Sequence, residues 1–274
     1  MRHFLPVFLL LSGLAAAQNS ASPFRDSHLE TIVRKYLANV KPGERLTTAQ
    51  LASAIIVTSH DSGVSDLSGL EQCTHLQFLY LRASPIADLT PLAKLTSLET
   101  ITIQGGKIHD LTPLARLPKL EYLDLSQNAV ADLKPLANLK ALKYLYLSHN
   151  QVTDLAPLAA LTGLQELNLD ENQVGDLAPL AGLTNLVSLD LSQNRISDVS
   201  ALAKLNQWRR LDLDQNPISD VTPLTALAES DAETHGIPPV RTLSLVGDPL
   251  SATARAKELP ELEKDLFSVL VAQN

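Results

Sequence analysis

The side chains of this 274-residue chain that could do covalent or metal chemistry are few and poorly spaced for it. Cys73 is the one cysteine, so an intrachain disulfide and a cysteine-ligated zinc are both excluded. The seven histidines (His3, His28, His60, His75, His109, His149, His235) are scattered, and no two share a metal-ligand spacing. No Gly-x-Ser-x-Gly turn presents a strained serine nucleophile. Aspartate alone has a pattern. It recurs at Asp66, Asp88, Asp110, Asp132, Asp154, Asp176, Asp198 and Asp220, each 22 residues after the last. A calcium site needs acidic residues crowded into one loop. A capping role, with the carboxylate accepting from a short turn's N–H groups, accounts for all eight without an ion. The sequence therefore predicts no catalytic residue, no metal and no cofactor.

The elements that must carry these aspartates follow from the same period. Proline stands three residues after the aspartate at Pro91, Pro113, Pro135, Pro157, Pro179 and Pro223, with Ala201 the exception within that run and Gly69 in the place at its start. A first helical turn suits it, because its missing N–H has no partner to lose there. Asparagine recurs at Asn128, Asn150, Asn172, Asn194 and Asn216. Aliphatic pairs run Leu79/Leu81, Ile101/Ile103, Leu123/Leu125, Leu145/Leu147, Leu167/Leu169, Leu189/Leu191 and Leu211/Leu213. Residues two apart point to one face of a strand, and that face is the core. One such unit cannot bury its leucines alone, but stacked copies bury a continuous column. Each asparagine, where the chain leaves the strand, can both donate to and accept from backbone that would otherwise be buried unpaired. Cys73 falls in the column of Leu95 and Leu117, and Trp208 in that of Leu164 and Leu186, so both are expected in the core.

Segments such as residues 110–128 (DLTPLARLPKLEYLDLSQN) resemble the 22-residue class of leucine-rich repeat found in bacterial internalins. The resemblance covers roughly residues 22–274. It implies an α/β fold: a right-handed solenoid with a parallel sheet on the concave side, short helical turns on the convex side and helical caps. It also implies recognition of another protein through the concave face.

The ends read differently from the repeats. Arg2 and His3, an apolar run from Phe4 to Leu14, and Ala15 to Ala17 have the form of a secretory signal peptide over 1–17. The run is shorter than the roughly 20 residues that span a membrane. Residues 18–56 read as a helical N-terminal cap, with an amphipathic stretch over 24–37 and a capped helix from Thr47. The solenoid occupies 57–249, with one repeat lengthened by ten residues that fall around an acidic loop at 229–239, and with Asp248 in the asparagine place. Residues 250–274 read as a helical C-terminal cap, with Leu259, Leu262, Leu266, Phe267 and Leu270 on one face. The expected product is exported, periplasmic or secreted, and not inserted in a membrane after cleavage.

A net charge of −8 argues against nucleic acid, which needs a basic face. Strand alternation then names the residues left on the concave face. An aromatic zone holds Phe78, Tyr80, Tyr122, Tyr144 and Tyr146, with Asp124 among them. An acidic zone holds Glu166, Asp170, Asp190, Asp212 and Asp214, with Arg210 among them. Folding requires neither zone, and exposed aromatics at regular strand positions are what interface anchors are made of. The expected partner is a protein with a basic patch; a glycan is the other ligand class an aromatic face admits. A scaffold role in the envelope and a regulatory subunit acting by protein binding are the alternative readings.

Overall fold

A computed structural model describes residues 22–41, 43–60, 63–225, 241–265 and 268–271. The expected signal peptide (1–17), the 229–239 loop, Leu266 and Phe267 lie outside these residues. Ten strands form one parallel sheet in chain order: β1 (Ile56–Ser59), β2 (Phe78–Leu81), β3 (Thr100–Ile103), β4 (Tyr122–Asp124), β5 (Tyr144–Tyr146), β6 (Glu166–Asn168), β7 (Ser188–Asp190), β8 (Arg210–Asp212), β9 (Thr242–Leu245) and β10 (Ser268–Val271). The register follows the repeat. Val57, Leu79, Ile101, Leu123, Leu145, Leu167, Leu189, Leu211 and Leu243 stand side by side, and each is at most 1% exposed. Each such leucine removed from water contributes about 1.5–3 kcal/mol.

Short 3₁₀ turns such as Thr90–Leu92, Thr112–Leu114 and Lys134–Leu136 form the opposite side, each with proline inside its first turn. All eight aspartates of the period act alike. In each, Oδ1 accepts from the backbone N–H two residues on, at 2.7 to 2.9 Å. The asparagines form the second ladder. Asn172 Nδ2 donates to the carbonyls of Leu147, Leu169 and Asp170 at 2.8, 3.0 and 3.1 Å, and its Oδ1 accepts from Val152 N at 2.9 Å. One side chain thus closes four backbone groups belonging to two successive turns.

The N-terminal cap consists of α1 (Ser27–Lys35) and α2 (Thr48–Ala52). Asp26 caps α1, and Thr47 with Gln50 forms a reciprocal capping box on α2. Leu29, Ile32 and Val33 cover the first leucines. The C-terminal cap departs from the all-helical expectation. A wide π-helical turn (Ala254–Glu258) runs into α3 (Leu259–Asp265), and the chain then returns as β10. Val269 and Val271 pair with Leu243 and Leu245 and continue the core, while Leu270 points outward at 49% exposure. Leu262 and Leu270 are spaced as helix neighbours would be, which hid the change. The Ser-Val-Leu-Val segment is β-favouring, and the open edge of β9 supplies its hydrogen-bond partners.

Candidate partner-binding face

The sheet's register sets two rows on the concave side. One row runs Phe78, Thr100, Tyr122, Tyr144, Glu166, Ser188, Arg210 and Thr242. The other runs Tyr80, Thr102, Asp124, Tyr146, Asn168, Asp190, Asp212 and Ser244. Three tyrosines come together. The Tyr122 ring lies 6.0 Å from that of Tyr144 and 5.2 Å from that of Tyr146, tilted by 39° and 37°. Tilted rings at such separations attract through their quadrupoles. Phe78 and Tyr80 stand apart from this cluster, because β3 places Thr100 and Thr102 between them.

The cluster is tied to the acidic zone by one bond. The Tyr146 hydroxyl donates to the Glu166 carboxylate, and Tyr144 donates to Gln165 Oε1 at 3.2 Å. Burial, then the bond to Glu166, raises the Tyr146 phenol well above its ordinary range, and burial, with Asp124 adding to it, raises that of Tyr122. Both phenols therefore stay protonated and act as neutral donors. A depression of about 200 Å³, lined by Tyr146, Glu166, Asn168, Asp190 and Arg210, leads from the tyrosines towards a larger groove. That groove, about 580 Å³, is lined by Asp170, Asp190, Asp212, Asp214 and Arg210, with Thr242, Ser244 and Leu270 at its far end.

Two residues expected to be displayed are covered. Asp124 is 5% exposed and Asp212 is 8% exposed. Asp124 accepts from Ser126 N and Oγ at 3.0 and 2.7 Å and from Gln104 Nε2 at 2.5 Å. Asp212 accepts from Arg210 Nε at 2.6 Å, with the guanidinium outermost. The alternation is right, but neighbouring side chains close over the short carboxylates: Gln104 and Ser126 over Asp124, and Arg210 of the same strand over Asp212. Asp124 and Asp212 support the face rather than present it. Burial raises the Asp212 carboxyl despite the opposing effect of Arg210. Asp170 is raised by burial first, then by Asp190 and Glu171. The groove thus holds more negative charge than Arg210 offsets.

One further cluster forms only in the folded chain. His149 Nδ1 lies 2.7 Å from Glu171 Oε2, and ligand atoms of His149, Asp170 and Glu171 lie within 4.8 Å of one another. Gln193 donates to Asp170 and Glu171 at 3.2 and 3.3 Å. The period was the available signal: His149 and Glu171 are one repeat apart, hence neighbours in space despite their separation in sequence.

Comparison with known proteins agrees with this geometry. The leucine-rich-repeat family model for paired copies matches residues 140–182 and 184–226, and a second leucine-rich-repeat model matches 96–152. The crystal structure of internalin C2 from Listeria monocytogenes is similar over 75% of this chain and 93% of that one, at 36% identity and a TM-score of 0.72. The chain belongs to the internalin-like leucine-rich-repeat proteins. Another Listeria internalin, the inlF product, covers 94% of both chains at 24% identity and a TM-score of 0.58. A leucine-rich-repeat protein of Leptospira interrogans covers 75% of this chain and 56% of its own, at 21% identity and a TM-score of 0.63. These last two share the fold. None of the curated proteins compared with the chain matches it. Internalin-like repeats form a protein-interaction fold, and no helix among the described residues is long and apolar enough to cross a membrane.

Proposed function

We propose that this internalin-like protein is exported after loss of residues 1–17, to the periplasm or the medium, and binds a protein partner without catalysing a reaction. The observation that carries this reading is the tyrosine cluster opening onto an acidic groove. Tyr122, Tyr144 and Tyr146 present half-buried rings with a polar edge, the usual anchors of an interface. Phe78 and Tyr80 extend the same face towards the N-terminal cap. Glu166, Asp170, Asp190 and Asp214 orient a partner with a basic patch, while Arg210 and Asp212 hold the lip and floor of the groove and Asp124 supports the aromatic zone. Ten strands about 4.8 Å apart make a face over 40 Å long, ample for about 800 Å² per partner.

The test uses the leaderless protein as bait against envelope and culture extracts. A variant with Tyr122, Tyr144 and Tyr146 all changed to alanine, matched to wild type in melting, is run beside it. A basic protein retained by wild type and lost by the variant is the expected result. Equal retention by both would sink the concave-face reading. Elution of the retained species by free sugar would make the partner a glycan.

A further inference from the structure

The asparagine ladder ends on a residue that cannot play the asparagine's part. In a regular repeat the amide group gives hydrogens to three carbonyls. Asn194 Nδ2 lies 2.8, 3.0 and 2.9 Å from the carbonyl oxygens of Leu169, Leu191 and Ser192. After β9 the column is occupied by Asp248, which is 5% exposed. Its Oδ1 accepts from Asn216 N at 2.6 Å, where the regular step, as in Ile196 N to Asn216 Oδ1, takes the N–H two residues after the preceding asparagine. Its Oδ2 is buried with no hydrogen-bond partner. In this column the second atom of the head group is a donor, and an ionised carboxylate has no hydrogen to give. The acid form does.

The surrounding charges favour the acid form. Asp214, at the exit of β8, is the charge that acts on Asp248, and it has the same sign. Asp214 itself accepts from Val246 N at 2.8 Å. In the C-terminal cap, Glu258 is occupied by Val221 N at 3.0 Å. Arg241 donates to the Asn206 carbonyl at 2.5 Å and lies 5.1 Å from the centre of the Trp208 ring. None of the ion pairs among the described residues includes Asp248. Burial, with Asp214 adding to it and the Asn216 N–H opposing, pushes the Asp248 carboxyl up to about 7.

We propose that Asp248 is a proton-operated latch on the C-terminal end of the solenoid. Protonated, it donates from Oδ2 and completes the ladder, holding β9 and the cap against the last regular repeat. Ionised, it leaves that end loosened. A carboxyl raised in the folded state binds its proton more tightly there than in the unfolded chain. Its stabilisation is therefore full below the ordinary carboxylate range, shrinks as pH climbs towards the folded value of about 7, and is absent above it. Because Thr242, Ser244 and Leu270 line the far end of the acidic groove, the same proton shapes that end of the concave face.

Amide hydrogen exchange of the full chain at pH 5.5, 7 and 8.5 tests the latch. With intrinsic rates divided out, the opening equilibrium of residues 242–245 in wild type should rise by up to about tenfold per pH unit between 5.5 and 7 and level off between 7 and 8.5, with β4 to β6 unchanged. Asp248→Asn, which restores the ladder amide, should remove that dependence. Asp214→Asn should move the levelling-off to lower pH. Wild-type protection that ignores pH would overturn the proposal. So would the wild-type dependence persisting in Asp248→Asn, as it would if a histidine were responsible. Should Asp248→Asn fold poorly, an unmoved levelling-off in Asp214→Asn is equally decisive against it.

Discussion

Asn172 and Cys73 show how position in a period decides what a side chain does. Each ladder asparagine sits among carbonyls of two turns because neighbouring repeats repeat the same geometry. Replacing Asn172 with alanine takes the partner from Val152 N and one of two donors from each of the carbonyls of Leu147, Leu169 and Asp170, in a site where the asparagine is only 8% exposed. Urea unfolding should show a loss of about 1–3 kcal/mol, with the slope against urea unchanged. Cys73 stands in a leucine column at 0% exposure, and burial, with Glu71 adding to it, pushes its thiol up to about 12. A thiolate that does not form cannot attack. A thiol reagent at pH 8 should modify Cys73 no faster than the protein unfolds, and rapid modification of the native chain would contradict the assigned burial. Asp124 is the residue that sequence logic misplaced. Its direction followed from alternation, but its cover is given by Gln104 and Ser126 from beyond its own strand.

At the scale of elements, the repeats and the caps obey different rules. A strand and turn of the solenoid are three or four residues each and gain their stability from the copies on either side. The caps touch one neighbour only, so they must differ in sequence and were harder to read. The strand β10 illustrates this. Its residues lie where helical spacing also fits, and only the unfilled edge of β9 selects the extended form. Changing Val269 to aspartate places a charge opposite Leu243 in the core row. The expected outcome is local: amides of β9 lose protection while those of β4, β5 and β6 keep theirs. Uniform loss along the sheet, measured by hydrogen exchange, would mean that the ten strands unfold as one unit and that the end is no separate element.

At the scale of the molecule, a charge of −8 and a groove of crowded carboxylates create a field directed out of the concave face. Such a field speeds encounter with a cationic partner, and salt screens it beyond about 10 Å at 0.1 M. Association of a captured basic partner should slow by about tenfold or more between 20 mM and 500 mM salt. Dissociation, governed by the tyrosine contacts, should change little. A salt-independent association rate would remove the acidic zone from the recognition step. The fold itself was legible in the sequence because the period is long-range information written locally: columns 22 residues apart must become neighbours, and a two-residue leucine spacing must face one way. The convex turns, the asparagine ladder, the parallel register and the burial of Cys73 and Trp208 follow from that alone. The curvature of the sheet was not written there. Curvature decides which concave side chains close over others, so the burial of Asp124 and Asp212, the meeting of Tyr122 with Tyr146 across strands, and the unpartnered oxygen of Asp248 belong to the tertiary structure, where depth is set by neighbours that no single repeat contains.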